Sequence, residues 1–236
     1  MYIDYYYIVL VVPTIILSII AQFMVKSTFS KYSRISCSKR ITGQDAAALL
    51  MKANSIRDVS IEAVGGSLTD HYDPSAKVLR LSQPVYNQNS IAAVGVAAHE
   101  TGHAIQHARG YGPLALRSTL VPVANIGSRV GPLLAMVGLF ISSNPSSSSI
   151  AQLIFNIGIL LFGGAVLFYV ITLPVEFDAS MRAIAILRSN NVLTPDELKG
   201  VKKVLTAAAL TYVASALTAL MSLLRLILLS QNRRRR

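Results

Sequence analysis

The stretch "VGPLLAMVGLFISSNPSSSSIAQLIFNIGILLFGGAVLFYVITLPV", Val130 to Val175, holds 46 residues without one charge. Two apolar arms flank "SSNPSSSS", Ser142 to Ser149, a polar stretch with a helix breaker. The arms are Ile150 to Leu173 and Val130 to Ile141, the latter extended backwards through "LVPVANIGS". Crossing a bilayer core takes about 20 apolar residues in a helix. The pattern therefore predicts a transmembrane helix hairpin. The first arm reaches spanning length only with Arg129 inside it, snorkelling to the surface or facing a polar cavity.

The rest of the chain agrees with a membrane setting. Of its 236 residues, 53% are hydrophobic and 14% charged, too apolar for an average soluble domain. Ile8 to Val25 is another uncharged run. The residues before it include Asp4 but no Lys or Arg, and no small-x-small cleavage site follows, so an uncleaved anchor is expected rather than a signal peptide. Tyr2, Tyr5, Tyr6 and Tyr7 suit the interfacial aromatic belt. Lys26, Lys31, Arg34, Lys39 and Arg40 follow, which by the positive-inside rule leaves the N-terminus outside and the next residues in the cytoplasm.

The formal net charge is +11. No basic stretch is interleaved with stacking aromatics, so the bilayer is the expected partner and nucleic acid is not. The single cysteine, Cys37, allows no internal disulfide and fits a reducing compartment. Val204 to Leu224 is uncharged again and leads to "RLILLSQNRRRR". A crossing there would make four and place Arg233 to Arg236 outside, against the charge rule. That rule favours a buried or membrane-hugging helix, with "LTAAALTYVASALTAL" packed closely on a neighbour.

Residues 41–110 have the texture of a folded domain outside the membrane. Thr42 caps a short helix. "VSIEAV", Val59 to Val64, and "KVLRLS", Lys77 to Ser82, alternate like strands, with the polar turn "SLTDHYDPSAK" between them. Ser90 caps the helix "IAAVGVAAHETGHAIQHA", which Gly110 ends.

That helix carries His99-Glu100-Thr101-Gly102-His103, an H-E-x-x-H pattern. Residues four apart share a helix face, so two imidazoles can grip one zinc ion, and the glutamate beside the first can point at a water on the metal. The neighbours are small and apolar, and burying two histidines and a glutamate without a role is costly. A hydrolytic zinc uses three protein ligands. His107 lies two turns from His99, and each turn advances about 5.4 Å. It is therefore expected beside the metal, on the substrate side or merely on the surface, rather than as a ligand. His71, in "LTDHYDP", is an alternative third ligand. The best candidate is Glu176 in "LPVEFDASMRAIAIL", since two crossings return the chain to the side of His103 and the segment reads as the start of a helix.

Together "LTDHYDP", "LRLS", "AAHETGHAIQHARGY", "LVPVANIGS" and "LPVEFDAS" resemble the bacterial membrane-bound neutral zinc metallopeptidases of the YugP type. The likeness covers nearly the whole chain. More distantly the layout is similar to the HtpX heat-shock proteases and the CAAX-processing membrane proteases. Those place a membrane hairpin between the H-E-x-x-H helix and a second motif, E-x-x-A-D. Glu176 and Ala179 match that motif, and Ser180 stands where those relatives have an aspartate that orients a ligand histidine. The resemblance implies that Ser180, or Asp178 from another angle, takes that part, and it implies protease activity.

The expected fold is mainly α, with transmembrane helices and a small α+β zincin-like cytoplasmic catalytic part. Its expected segments are an anchor at 1–25, a cytoplasmic part at 26–120, a hairpin at 121–173, and a glutamate-bearing helix with a C-terminal hydrophobic helix at 174–236. The expected function is a zinc (Zn2+) endopeptidase of the bacterial cell membrane acting on protein or peptide substrates at the cytoplasmic side. His99, His103 and Glu176 hold the metal and Glu100 is the base. His71, Tyr72 or Tyr212 assists the carbonyl oxygen, and the strand "KVLRLS" either offers an edge to substrate or is an ordinary sheet strand. A non-catalytic zinc scaffold is the alternative, but structural sites fill four positions, usually with thiolates. A transporter needs ionisable groups within its spans, and apart from Arg129 there are none.

Overall fold

The computed structural model describes residues 4–141 and 148–234. Tyr2, most of the polar turn after Ile141 and the side chains of the arginine tail lie outside the described residues. In chain order, a π-helical turn Tyr7–Val11 leads into α1 (Val12–Tyr32), followed by α2 (Gly43–Ala53). Strands β1 (Ser60–Val64), β2 (His71–Asp73) and β3 (Val78–Ser82) come next. Then come α3 (Gln83–Tyr86), α4 (Ile91–Ala108), α5 (Gly112–Ile141), α6 (Ser148–Ser189) and α7 (Pro195–Arg234).

Four helices are long and apolar enough to cross a membrane: Tyr7–Tyr32, Gly112–Ile141, Ser149–Ser189 and Pro195–Asn232. The fourth contains the run that the charge rule expects as a buried or membrane-hugging helix, and by length and composition it qualifies like the other three. That expectation followed from charge alone. The structure supplies Arg225 with a partner: its guanidinium bonds the Asp4 carboxylate and lies 5.1 Å from the centre of the Tyr7 ring.

The chain divides into two compact units. One gathers Met1–Ile20, Leu116–Leu173 and Thr211–Arg236. Within it α5 and α6 pack antiparallel through small residues. A Cβ on Gly158 would lie 2.4 Å from the Ala135 nitrogen, and one on Gly127 only 2.1 Å from the Leu161 carbonyl oxygen, so the two backbones are in contact. Phe140 and Leu160 are about four-fifths exposed, as lipid-facing side chains are. Arg129 is also exposed, which favours snorkelling over a polar cavity. α1 and α7 are antiparallel here, with Asp4 beside Arg225 and Ser18 3.4 Å from Thr218.

The second unit gathers Ala21–Ala115 and Pro174–Leu210. Thr42 and Asp45 form a capping box that starts α2, and the Ser90 hydroxyl accepts from the Ala93 amide to start α4. Gly110, at φ +62°, takes the chain out of α4. The sheet order is β1-β3-β2, with β1 parallel and β2 antiparallel to β3. Two expectations change. "KVLRLS" is the central strand, paired on both sides, and not an edge. His71–Asp73, read as part of a turn, is itself a strand, too short at three residues to show a period. The apolar side of the sheet, with Leu79 and Leu81 fully buried, packs on Ala93, Ala97 and Ile105 of α4. The opposite side of α4 packs against α2, α6 and α7 around Leu50, Val94, Leu187 and Val201. Fixed on both sides, α4 is a rigid carrier for whatever it displays.

Candidate metal centre

α4 places His99 and His103 one turn apart with ring centres 4.9 Å from each other. α6 brings Glu176 against them. Its Oε2 lies 3.2 Å from His99 Nε2 and 3.6 Å from His103 Nε2. Among the described residues these three form a group able to hold a metal ion, their ligand atoms all within 4.8 Å of one another. The sequence suggested that Glu176 stands near the start of a helix. Instead α6 runs unbroken through Pro174, and Glu176 lies 28 residues into it. A helix-dipole role is thereby removed. Glu176 is 2% exposed and His103 7%, and a carboxylate so deeply buried needs a cation or donors around it.

The close approach of α4 and α6 rests on Gly102. A Cβ there would come within 2.6 Å of the Ala179 carbonyl oxygen. Any larger residue would push the helix bearing Glu176 away from the one bearing the histidines.

The other ring nitrogens are held too. Ser180 Oγ is 3.1 Å from His99 Nδ1. Gln106, fully buried, sits 2.9 Å from His103 Nδ1 through its Oε1. Its amide nitrogen donates to the Val175 carbonyl at 2.8 Å and to Asp178 Oδ2 at 2.7 Å. Both are acceptors, so the Gln106 amide has one orientation and its oxygen must accept. His103 Nδ1 therefore carries the proton, and Nε2 is the nitrogen that donates to Glu176 when protonated and offers a lone pair to an ion when not. Arg182 neutralises Asp178 from one turn on, with its guanidinium 5.7 Å from the centre of the Tyr111 ring. Gln106 was not foreseen as part of the centre. Its sequence signal was a polar side chain three residues after His103 on an otherwise apolar helix.

Burial alone would lower the pKa of the His103 imidazole, but the Glu176 and Glu100 carboxylates outweigh it and raise it above its ordinary value. The pocket thus attracts positive charge. Glu100 is 8% exposed, and no described residue hydrogen-bonds its carboxylate. Its neighbours His99 and His103 belong to the ligand group and it does not.

The remaining candidates lie apart from that group. Tyr72 Oη is 2.7 Å from His107 Nδ1. Burial, with Asp58 and Asp73 nearby, raises the Tyr72 phenol to about 12, so at neutral pH it keeps its proton. His71 Nδ1 bonds the Thr69 carbonyl, and Nε2 lies 3.4 Å from Arg80. Tyr212 belongs to the other unit.

Four helices are long and apolar enough to cross a membrane, and two imidazoles with a buried carboxylate from a second helix form a group able to hold a metal ion. The chain belongs to the family described as "Putative neutral zinc metallopeptidase", whose profile matches residues 7–231. It is 48% identical over 228 residues to the "Putative membrane protease YugP" of Bacillus subtilis (strain 168), covering 97% of this chain and 98% of that protein. No solved structure matches it. Family membership makes zinc the implied metal. The donor set fits, because two nitrogens and one carboxylate oxygen are the ligand types zinc takes, and each imidazole's second nitrogen has a partner.

Proposed function

We propose that this protein is a membrane-embedded zinc endopeptidase that hydrolyses peptide bonds of membrane or membrane-proximal proteins from the cytoplasmic face. The observation that carries the reading is the group of His99 with the buried His103 and Glu176, beside a Glu100 carboxylate on the histidines' helix that no described residue hydrogen-bonds. His99, His103 and Glu176 hold the metal. Bound zinc supplies a Lewis acid for the scissile carbonyl and lowers the pKa of a water toward 7. Glu100 takes the proton of the attacking water on its carboxylate and returns it to the leaving amine nitrogen. Ser180 and Gln106 keep the imidazoles oriented, and Asp178 acts through Gln106.

Tyr72 and His107 form the polar pair we assign to substrate contact, Tyr72 keeping its proton at neutral pH. An extended substrate pairs with the outer side of β2, the edge strand that contacts α4. The cytoplasmic placement is supported by the basic residues from Lys26 to Arg40 that follow the first apolar run.

The test is metal content and cleavage of an unfolded protein by the purified full chain in detergent. The parent should carry about one zinc and lose cleavage to a chelator. Glu100→Gln should keep the zinc and lose cleavage by about a hundredfold or more. Undiminished cleavage by Glu100→Gln would overturn the mechanism. A parent that holds zinc and cleaves nothing would point to the scaffold reading.

A further inference from the structure

In the second unit a groove of about 710 Å³ opens between the end of α1 and the start of α7. Its lining changes character along both helices in the same order. On α1 the stripe runs from Met24 through Ser27 and Thr28 to Lys31. On α7 it runs back from Ala207 through Thr206 to Lys203, Lys202 and Lys199. One end of the groove is therefore apolar, the middle carries hydroxyls, and the other end is cationic. The apolar end continues directly into the uncharged runs Ile8 to Val25 and Val204 to Leu224.

The cationic end lacks matching acids. Lys199 pairs with Asp196 on the helix surface at 2.8 Å. Among the described residues no carboxylate pairs with Lys31, Lys202 or Lys203, and no acid lines the groove. A neighbouring groove of about 470 Å³ shares Lys199 and Lys202 and adds Arg188. Lys199, Lys202 and Lys203 stand three and four residues apart, where like charges weaken a helix. An anion between them relieves that repulsion.

We propose that this groove binds one anionic phospholipid. Its phosphate sits among Lys31, Lys202 and Lys203, its ester region meets Ser27, Thr28 and Thr206, and its acyl chains pass Met24 and Ala207 into the bilayer. Phosphate, ester and chain follow each other in the lipid as cation, hydroxyl and apolar side chain do in the groove. The volume suits a bound small molecule, and basic pockets between membrane helices are suited to lipid head groups. The site is separate from the metal centre and does not depend on catalysis.

The test titrates the full chain in neutral detergent with phosphatidylglycerol, phosphatidylcholine or inorganic phosphate. Bound lipid is counted by native mass spectrometry, and the melting temperature is followed in parallel. One phosphatidylglycerol should bind in preference to phosphatidylcholine. Lys202→Gln with Lys203→Gln should weaken it by about tenfold or more. Lys26→Gln with Arg34→Gln removes the same charge from exposed positions outside the groove and should leave the affinity within about twofold. Zinc content checks that each variant is folded. Equal binding of the two lipids, or equal loss in both double variants, would overturn the proposal. So would inorganic phosphate raising the melting temperature as much as phosphatidylglycerol does, since the groove would then be a small-anion site.

Discussion

Gln106 shows how one side chain decides what a metal would meet. Its amide is pinned by Val175 and Asp178, so its oxygen can only accept, and Nε2 is the His103 nitrogen left to face Glu176. Gln106→Leu removes that constraint and strands the His103 Nδ1 proton in a buried site. Zinc affinity is expected to fall about 10- to 100-fold, measured by competition with a chromogenic chelator, with a smaller loss for Ser180→Ala. Glu176→Ala removes a donor outright. It should lose most of its zinc while still inserting into the membrane. Full zinc retention would return His71 to the ligand set.

The H-E-x-x-H residues were legible because their geometry is local: positions four apart share a helix face in any α-helix. Glu176 rested on crossing parity and on family resemblance. Gln106 was not read, because nothing along the chain shows that Val175 and Asp178 face it.

At the scale of elements, the centre depends on how closely α4 and α6 approach. Gly102 sets that distance against the Ala179 backbone. Gly102→Ala inserts a methyl group where an oxygen already stands, and backbone cannot rotate aside as a flexible side chain would. Overpacking of this kind costs about 1–3 kcal/mol. The variant should melt several degrees lower and bind zinc more weakly. Gly163→Ala, with nothing within 4 Å of the added carbon, should match the parent in both readouts. α6 also shows where reading by segments stops. Pro174 and the change from apolar to charged residues suggest a break after Leu173, and the division between the two units does fall there. The helix nevertheless continues. Proline withholds one backbone donor, but the 15 residues after it still make a helical face that Ala179, Ala183 and Leu187 bury completely. The edge position assigned to "KVLRLS" failed for a related reason: alternation shows that a strand has a buried side, not how many neighbours it has.

For the whole molecule the open issue was the number of crossings. α7, like the other three helices, is long and apolar enough to cross, and the pair between Asp4 and Arg225 sets its end beside the start of α1. The expectation is four crossings with both termini on one side of the membrane, in conflict with a simple count of the terminal arginines. Reporter fusions at the two ends of the full chain should give the same sidedness, and opposite sidedness would leave α7 on the surface. Asp4→Asn leaves Arg225 with a neutral partner in a mostly buried site, so the melting temperature in detergent should fall. The exchange Asp4→Arg with Arg225→Asp should recover part of the loss. Charge counting missed this pair because its members stand 221 residues apart in sequence.

By itself the sequence determined the apolar helices, the caps at Thr42 and Ser90, and the register of His99, Glu100 and His103 on one helix. Each follows from composition or from a period of a few residues, which the chain carries whatever its fold. Only the tertiary structure decided which carboxylate reaches the imidazoles, which nitrogen of His103 faces it, and that β3 lies inside the sheet. It also decided that Lys31 and Lys202 line a common groove. Those outcomes depend on contacts between distant segments, at distances set by the volumes of facing residues such as Gly102 and Ala179.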